Sequence, residues 1–357
     1  MDHRHNRYAF LDGIRGMAAI FVLTRHTNDL WHISFFRSYL AVDLFFVLSG
    51  FVIAYAYDEK LRSGSISVPK FLLIRLIRLY PVYFLSLLLC VLIVIGKAIH
   101  HNQLHIEDVQ EIMSVFTTTA FFIPSHSAGS NELFTINAPY WSLLFELIIN
   151  IIYAIIRPFL TDLFLALILL ISAMTLVVVS FHEGTLNVGF SWGIWSLVAG
   201  FSRSIFGIFL GLLIYRHHTF LNTMLIKTKS ISPWFSFIVI AVILASPNLD
   251  QLNKFIDILS VSVFFPICIL VASQGAVTKF QRLLLILGIT SYPMYVLHIP
   301  LGELFSYVIQ GRIDVYTPGS GIIFVIFLIA FSMWIEKWYD IPLRSWLSDN
   351  IIRRPMD

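Results

Sequence analysis

Long apolar segments, separated by short polar ones, occupy most of this chain. A helix that crosses the hydrocarbon core of a bilayer needs about 20 apolar residues. Segments that approach this length lie at residues 9–27, 42–57, 76–96, 138–156, 159–181, 190–215, 233–247, 255–274, 283–309 and 319–338. The segment 233–247, which has a proline at each end, is the weakest. The pattern predicts an all-α polytopic membrane protein with about ten transmembrane helices.

The composition supports the same class. Apolar residues make up 58% of the chain and charged residues 13%, whereas an average soluble domain contains about 25% charged residues. Cys90 and Cys268 lie inside apolar segments, so we interpret them as packing residues and not as a disulfide or metal framework. The first apolar segment contains Arg15 and has no small-residue cleavage site, so we expect a retained helix and not a signal peptide.

The distribution of Lys and Arg predicts the orientation. With an even number of spans both termini lie on one face, and most of the 24 Lys and Arg residues fall on that face. Because cytoplasmic loops are enriched in Lys and Arg, we expect both termini in the cytoplasm. Residues 1–344 then form an integral-membrane domain, and residues 345–357 form a short basic cytoplasmic tail.

The longest segment on the opposite face is 97–137. It contains His100, His101 and His105, which we interpret as part of a solvated loop because their spacing does not match a metal site. Its second half is apolar but too short to span a bilayer, which predicts a re-entrant or interfacial helix.

Ionisable side chains are predicted in the outer half of the membrane, and they are His26, Asp43, Glu146 and His298. This placement follows from the direction of each helix and a rise of about 1.5 Å per residue. Trp141 lies at the outer interface, and Tyr295 lies about one turn beneath His298. Charged groups are costly to bury in a bilayer, so we expect this set to serve a function.

His26 and Asp43 are the first candidates for chemistry. Histidine is the usual residue for proton transfer near neutral pH, and a carboxylate on its second nitrogen orients the ring and stabilises the imidazolium. If the first two helices are neighbours, His26 and Asp43 form such a pair. The alternative is a buried polar pair that only holds two helices together.

Arginines form a second set nearer the cytoplasmic face. Arg75 and Arg78 are i, i+3 neighbours on one helix face, and Arg15 and Arg203 lie deeper in their predicted helices. Together they would form a cationic funnel for a phosphate-bearing ligand that enters from the cytoplasm. Ordinary membrane anchoring is the alternative for Arg75 and Arg78, but it does not explain Arg15 or Arg203.

Ordered motifs carry a resemblance to a known family. They are LDGIRGMAA from Leu11, VDLFFVLSGF from Val42, RLIRLYPVY from Arg75, YWSLLFE from Tyr140, SYPMYVLH from Ser291 and DIPLR from Asp340. In this order the sequence resembles the membrane acyltransferase-3 family, whose bacterial members acylate cell-surface carbohydrates. The motifs extend from near the N-terminus to Arg344.

The resemblance implies roles for individual residues. The family has an Arg and a His in the first helix, an acid in the second helix, an R-x-x-R pair, and a Trp and a Glu further along. The matching residues here are Arg15, His26, Asp43, Arg75, Arg78, Trp141 and Glu146. The sequence departs from the family at Arg25, which places a cation beside the His, and at Asp340, where the family often has Glu.

We therefore predict three groups of site residues. The catalytic group is His26, Asp43 and Glu146; the donor-binding group is Arg15, Arg75 and Arg78; and the acceptor-binding group is Trp141, Tyr295 and His298. Tyr295 and His298 enter because of their predicted depth alone. His26, oriented by Asp43, would deprotonate an acceptor hydroxyl that attacks a thioester directly, because no Ser or Cys is favoured as a nucleophile.

The predicted function is O-acyl transfer. An acyl-CoA, commonly acetyl-CoA in this family, would bind at the cytoplasmic side without a metal ion. The acceptor would be a hydroxyl of a surface or exported carbohydrate such as an O-antigen, an exopolysaccharide or another glycan. We expect a multi-pass protein of the bacterial inner membrane, embedded in the lipid bilayer, that binds no nucleic acid.

Other classes share some of these features. A transporter or exporter of a glycan or small anionic solute also uses intramembrane ionisable residues, and an inverted repeat would favour it. No such repeat is evident in the sequence. A structural or sensory membrane subunit is the other alternative, and it leaves the two sets of charged residues unexplained.

Overall fold

The computed structural model describes residues 8–33, 35–101, 105–127, 129–224, 231–275, 279–309 and 317–352. The longer helices are α1 (Ala9–His26), α2 (Ala41–Arg62), α3 (Val68–His100), α4 (Ile106–Ala120), α5 (Tyr140–Ile156), α6 (Asp162–Glu183) and α7 (Ile194–Arg216). They continue with α8 (His218–Met224), α9 (Pro233–Ala245), α10 (Asn253–Leu259), α11 (Phe265–Ser273), α12 (Gln281–Val308), α13 (Gly319–Ile335) and α14 (Ile341–Leu347). The predicted all-α class is confirmed.

Local sequence signals begin and end several helices. Ser67 caps α3, because its side chain accepts a hydrogen bond from the backbone of Lys70. Thr161 caps α6 in the same way, and Gly184 ends α6 with a φ of +76°, which glycine adopts without strain. Ser232 caps α9, and Pro233 occupies the first helical position.

Eight described helical segments are long and apolar enough to cross a membrane, by length and composition. They are Phe36–Arg62, Val68–His100, Tyr140–Phe159, Asp162–Glu183, Ile194–Arg216, Asp250–Ser273, Gln281–Val308 and Gly319–Ile352. Helix α9 is apolar but has only 13 residues, and α1 has 18 residues with several charges. The chain is a multi-pass membrane protein, while the count of ten spans and the position of the termini stay predictions.

Helical structure extends into the predicted tail. Helical structure continues from Gly319 through Ile352, with wider π-type turns at Glu336–Asp340 and Ser348–Ile352. The predicted boundary at residue 344 therefore lies inside a helix. Residues 353–357 of the predicted tail lie outside the described residues.

Helix α4 lies in the segment that we predicted to be a loop with an interfacial helix. Its backbone begins at His105, whose N–H donates to Asp108 at 2.9 Å. The helix ends at Ala120, where Tyr83 of α3 donates a hydrogen bond to the Thr119 carbonyl at 2.5 Å. We expected a helix only in the apolar second half of the segment 97–137, but the helix already begins in the polar first half. The cap at His105 stabilises its first turn.

Glycines bring α2 and α7 into close contact. A Cβ at Gly50 would collide with the backbone of Ile208, and one at Gly211 would collide with the backbone of Val47. Glycine is required at both positions because the two backbones approach without space for a side chain. This packing holds the first half of α2, which carries Asp43, beside the part of α7 that carries Arg203.

A second buried network joins the opposite ends of α2, α5 and α7. Asp58 accepts hydrogen bonds from the Tyr153 hydroxyl at 2.7 Å and from Arg157 Nη2 at 2.6 Å. Arg216 Nη2 lies 3.2 Å from the same carboxylate. Because the charge of Asp58 is balanced by two arginines, we assign this network to helix packing.

Candidate functional site

His26 and His298 meet where α1 ends against α12. Nε2 of His298 lies 3.2 Å from Nδ1 of His26. Nδ1 of His298 lies 3.2 Å from the Met294 carbonyl, and Nδ1 of His26 lies 3.0 Å from the Val22 carbonyl. His298 is fully buried and His26 is exposed.

These contacts fix the proton positions of the neutral pair. A carbonyl oxygen only accepts hydrogen bonds, so Nδ1 of His298 carries a proton and its Nε2 is an acceptor. The Nδ1–H of His26 then donates to the Val22 carbonyl and to Nε2 of His298. Nε2 of His26 is left with a free lone pair, so the exposed histidine can accept a proton.

Asp43 binds Arg203 and not His26. Nε and Nη2 of Arg203 donate to the two carboxylate oxygens of Asp43 at 2.9 and 2.6 Å. Both side chains are almost fully buried. Within the described part of the chain no hydrogen bond joins Asp43 to His26, so the predicted direct pair is wrong. The bidentate fit of the Arg203 guanidinium to the Asp43 carboxylate makes this pair a strong one.

Arg203 is held by further contacts. Nη1 donates to the Val188 carbonyl at 2.5 Å, and Nη2 donates to the Tyr39 carbonyl at 3.2 Å. Its guanidinium lies 5.1 Å from the centre of the Trp141 ring. The structure therefore places Arg203 beside Trp141, where Asp43 holds it, and not with Arg75 and Arg78.

A cavity of about 230 Å³ lies between these groups. We call it the Trp141 cavity, and its charged or aromatic lining residues are Arg25, His26, Tyr39, Glu132, Trp141, Phe190, Arg203 and Tyr295. The Tyr295 hydroxyl lies 2.6 Å from Ser142 Oγ and 3.0 Å from the Pro139 carbonyl. Trp141 and Tyr295 thus share a cavity with His26, whereas His298 supports His26 from behind.

Glu132 is a cavity residue that sequence reasoning missed. It lies before α5 in an irregular segment, where no pattern distinguishes it from other loop acids. Partial burial raises the pKa of its carboxyl, because burial disfavours the charged form.

A second cavity, of about 320 Å³, also includes His26. We call it the Glu303 cavity, and it is lined by His26, Thr27, Asp29, Lys97, Gly302, Glu303, Ser306 and Tyr307. Lys97 Nζ lies 2.7 Å from Glu303 Oε2, and Ser306 Oγ lies 2.5 Å from Asp29 Oδ2. His26 therefore borders two cavities.

Glu146 lies with the arginines and not with the histidines. Its Oε1 accepts hydrogen bonds from Arg75 Nη2 at 2.7 Å and from Ser49 Oγ at 2.6 Å. Ser49 is seven residues along α2 from Val42, which lines the Trp141 cavity; this is about 10 Å of helix. The predicted catalytic group therefore does not meet as one cluster, because α5 presents Glu146 to Arg75 and Ser49.

The donor-binding arginines come together. Arg78 is exposed and lies within electrostatic reach of Arg15, Arg75 and Arg344. Arg15 Nη1 lies 3.5 Å from Asp12. Arg15, Arg75 and Arg344 each lie beside a carboxylate. The described residues show no ion pair for Arg78, so Arg78 is the member of this cluster most available to an anion.

Arg344 is the member of this cluster that sequence reasoning missed. It belongs to the DIPLR motif, and its Nη2 lies 2.6 Å from Glu336 and 2.8 Å from Asp340. Asp340, the departure noted in that motif, therefore holds an arginine in the cluster. Among the residues with described positions, no group of three His, Cys, Asp or Glu could hold a metal ion.

Comparisons with known proteins identify the family of the chain. A family model described as "Acyltransferase domain" matches residues 8–337. "Protein 2 in picA locus" of Rhizobium radiobacter is 41% identical over 155 residues, which cover 42% of this chain and 81% of that protein. No solved structure matches.

The names of two relatives state an enzymatic activity. "O-acetyltransferase OatA" of Staphylococcus aureus is 25% identical over 371 aligned positions, covering 94% of this chain and 57% of that protein. "Peptidoglycan O-acetyltransferase OatA" of Listeria monocytogenes is 27% identical over 142 residues, or 38% of this chain and 22% of that protein. The chain thus spans little more than half of the Staphylococcus relative.

Proposed function

Because the chain belongs to the membrane acyltransferase-3 family and is an acyltransferase, we propose that it moves an acetyl group from acetyl-CoA to a carbohydrate hydroxyl. The observation that carries this proposal is the position of His26. His26 lines two cavities, so an acceptor and a thioester can both reach this residue. The names of the Staphylococcus and Listeria relatives support acetyl as the group and a glycan as the acceptor.

His26 acts as the general base in this proposal. Its Nε2 takes the proton of an acceptor hydroxyl while the oxygen attacks the thioester carbonyl. The tetrahedral intermediate then collapses to an ester, and the departing coenzyme A thiolate receives the same proton from His26. Nε2 of His298 accepts the Nδ1–H hydrogen bond of His26 throughout, so it orients the ring and stabilises the imidazolium.

Arg203 supplies positive charge where the intermediate carries a negative oxygen. It lines the Trp141 cavity and is fixed by Asp43 and by two backbone carbonyls. A preorganised cation stabilises an oxyanion more than mobile water does, because it needs no reorientation during the reaction. Asp43 is in this mechanism a positioning residue for Arg203.

The arginine cluster binds the phosphates of the donor. Arg15, Arg75, Arg78 and Arg344 match a ligand with several phosphate groups, and Glu146 holds Arg75 in place. The predicted orientation puts this cluster towards the cytoplasm, where acyl-CoA is made, and His26 towards the outer face of a bacterial inner membrane. The acceptor would then be an O-antigen, an exopolysaccharide or a cell-wall glycan.

The test is acetyl transfer by purified protein. Protein reconstituted in lipid nanodiscs would be incubated with radiolabelled acetyl-CoA and surface glycan from a host that lacks the gene. We expect base-labile label on the glycan with wild type and less than about 1% of it with His26→Ala, because a general base contributes about 10²–10⁴-fold. Full activity of a folded His26→Ala variant would refute the mechanism, and an inactive wild type would refute the function.

A further inference from the structure

We propose that the Glu303 cavity binds the acceptor, and that it selects carbohydrates without an acidic group at the acylated end. This inference rests on the proposed function. The inference distinguishes the two cavities beside His26 by the charges of their lining residues. It assigns Asp29 and Glu303 as specificity-determining residues.

The position of the cavity supports an acceptor site. It lies at the C-terminal ends of three helices, because its lining includes His26 at the end of α1, Lys97 near the end of α3, and Gly302 to Tyr307 near the end of α12. A hydroxyl held here has direct access to His26. The volume of about 320 Å³ falls at the lower end of the range for small-molecule sites, about 300–1,000 Å³, which suits the end of a glycan chain.

The charge of the cavity is negative. Asp29 and Glu303 outnumber Lys97 among its lining residues, with His26 taken as neutral. The C-terminal ends of helices add partial negative charge from their unpaired carbonyls. Such a cavity repels the phosphates of acyl-CoA, which bind at the arginine cluster instead, and it repels the carboxylate of a uronic acid.

The two carboxylates can exchange their present partners for a ligand. The side chains of Lys97 and Glu303 are 36% and 48% exposed, and an exposed ion pair contributes only about 0–1 kcal/mol. Ser306, which binds Asp29, can equally donate to a ligand. Sugar hydroxyls donate to carboxylates, so neutral sugars gain contacts here that an acidic sugar loses to repulsion.

The experiment compares matched acceptors. Reconstituted protein would be assayed with acetyl-CoA and a panel of neutral glycosides, each paired with its uronic acid of the same size. For wild type we expect kcat/KM to be at least about tenfold higher for the neutral member, since a like-charge contact costs about as much as one charged hydrogen bond. Asp29→Asn with Glu303→Gln should reduce this ratio about tenfold through the acceptor KM, while the KM for acetyl-CoA stays within about twofold.

Two further variants separate specificity from misfolding. Lys97→Gln makes the cavity more negative, so the preference for neutral acceptors should increase, in the opposite direction to the double variant. Glu107→Gln removes an exposed carboxylate of α4 outside the cavity and should leave the ratio unchanged. A ratio that does not respond to any substitution at residues 29, 97 and 303 would overturn the cavity assignment. Wild-type protein that transfers acetyl to no acceptor would instead overturn the proposed function.

Discussion

Asp43→Asn tests whether the carboxylate serves Arg203 or His26. In the structure both oxygens of Asp43 accept hydrogen bonds from Arg203, at 2.9 and 2.6 Å. Asparagine keeps the shape but loses the charge and one acceptor. The guanidinium would then be buried without a counter-charge, and its position beside Trp141 would no longer be fixed.

The magnitude follows from burial. The two side chains are 1% and 0% exposed, and removing one partner of a buried ion pair costs about 3–5 kcal/mol. We expect a loss of that order in the free energy of unfolding. If Arg203 stabilises the oxyanion, kcat should fall about 10²–10³-fold, as for the loss of one preorganised donor.

The decisive assay is a double-mutant cycle on kcat with Asp43→Asn and Arg203→Gln. Because Asp43 acts through Arg203, the double variant should be no slower than the Arg203→Gln variant. If Asp43 oriented His26 independently, the two losses would multiply, and that outcome would refute our assignment.

A matched control comes from the same helix. Asp58 is also buried and pairs with arginines, but it lies 15 residues from Asp43, about 22 Å along α2. Asp58→Asn should lower the unfolding temperature as much as Asp43→Asn does. Its kcat, measured below that temperature, should stay near wild type, since the network is remote from both cavities.

Other substitutions test the remaining parts of the site. His298→Ala should lower kcat about 100-fold without changing the KM for acetyl-CoA, whereas His298→Gln, whose amide oxygen can accept the His26 proton, should retain part of the rate; equal losses would exclude this hydrogen bond. Arg78→Gln should raise the KM for acetyl-CoA about tenfold but not that of acetyl-pantetheine, which lacks the nucleotide phosphates; equal effects on both donors would show that Arg78 binds no nucleotide phosphate. Gly50→Ala should destabilise the protein by about 1–3 kcal/mol in thermal unfolding because its Cβ would meet the Ile208 backbone, whereas Gly96→Ala, with open space around it, should not; equal stability of the two variants would contradict the close α2–α7 packing.

The sequence was sufficient to predict the helical elements. Each predicted span overlaps a described helix, because apolar length is a direct requirement of the bilayer. The arginines of α1 and α3 were grouped correctly, since R-x-x-R at a helix entry fixes both side chains on one face. Their electrostatic proximity in the structure agrees with that grouping.

The sequence could not predict which charged side chains form pairs with one another. Asp43 and Arg203 are 160 positions apart, and the glycines that bring α2 against α7 do not indicate which charged residues will meet. Glu146 shows the same difficulty, because a rise per residue gives depth but not the direction in which α5 presents the side chain. Arg344 was missed because the π-type turn before it changes the helical register.

His26 pairs with a histidine and Asp43 pairs with an arginine. This pairing keeps the negative charge of Asp43 away from the base, which a His–Asp pair would not do. A carboxylate on His26 would place a negative charge beside the oxyanion that forms in the same cavity, and opposite effects would then act on the base and on the intermediate. Neutral His298 orients His26 without adding that charge. The negative charge of Asp43 is instead neutralised by Arg203. Other N–H groups of Arg203 donate to backbone carbonyls, and Arg203 lines the Trp141 cavity. In the proposed mechanism the site therefore keeps a neutral base next to a fixed cation, a combination that suits attack of a hydroxyl on a thioester.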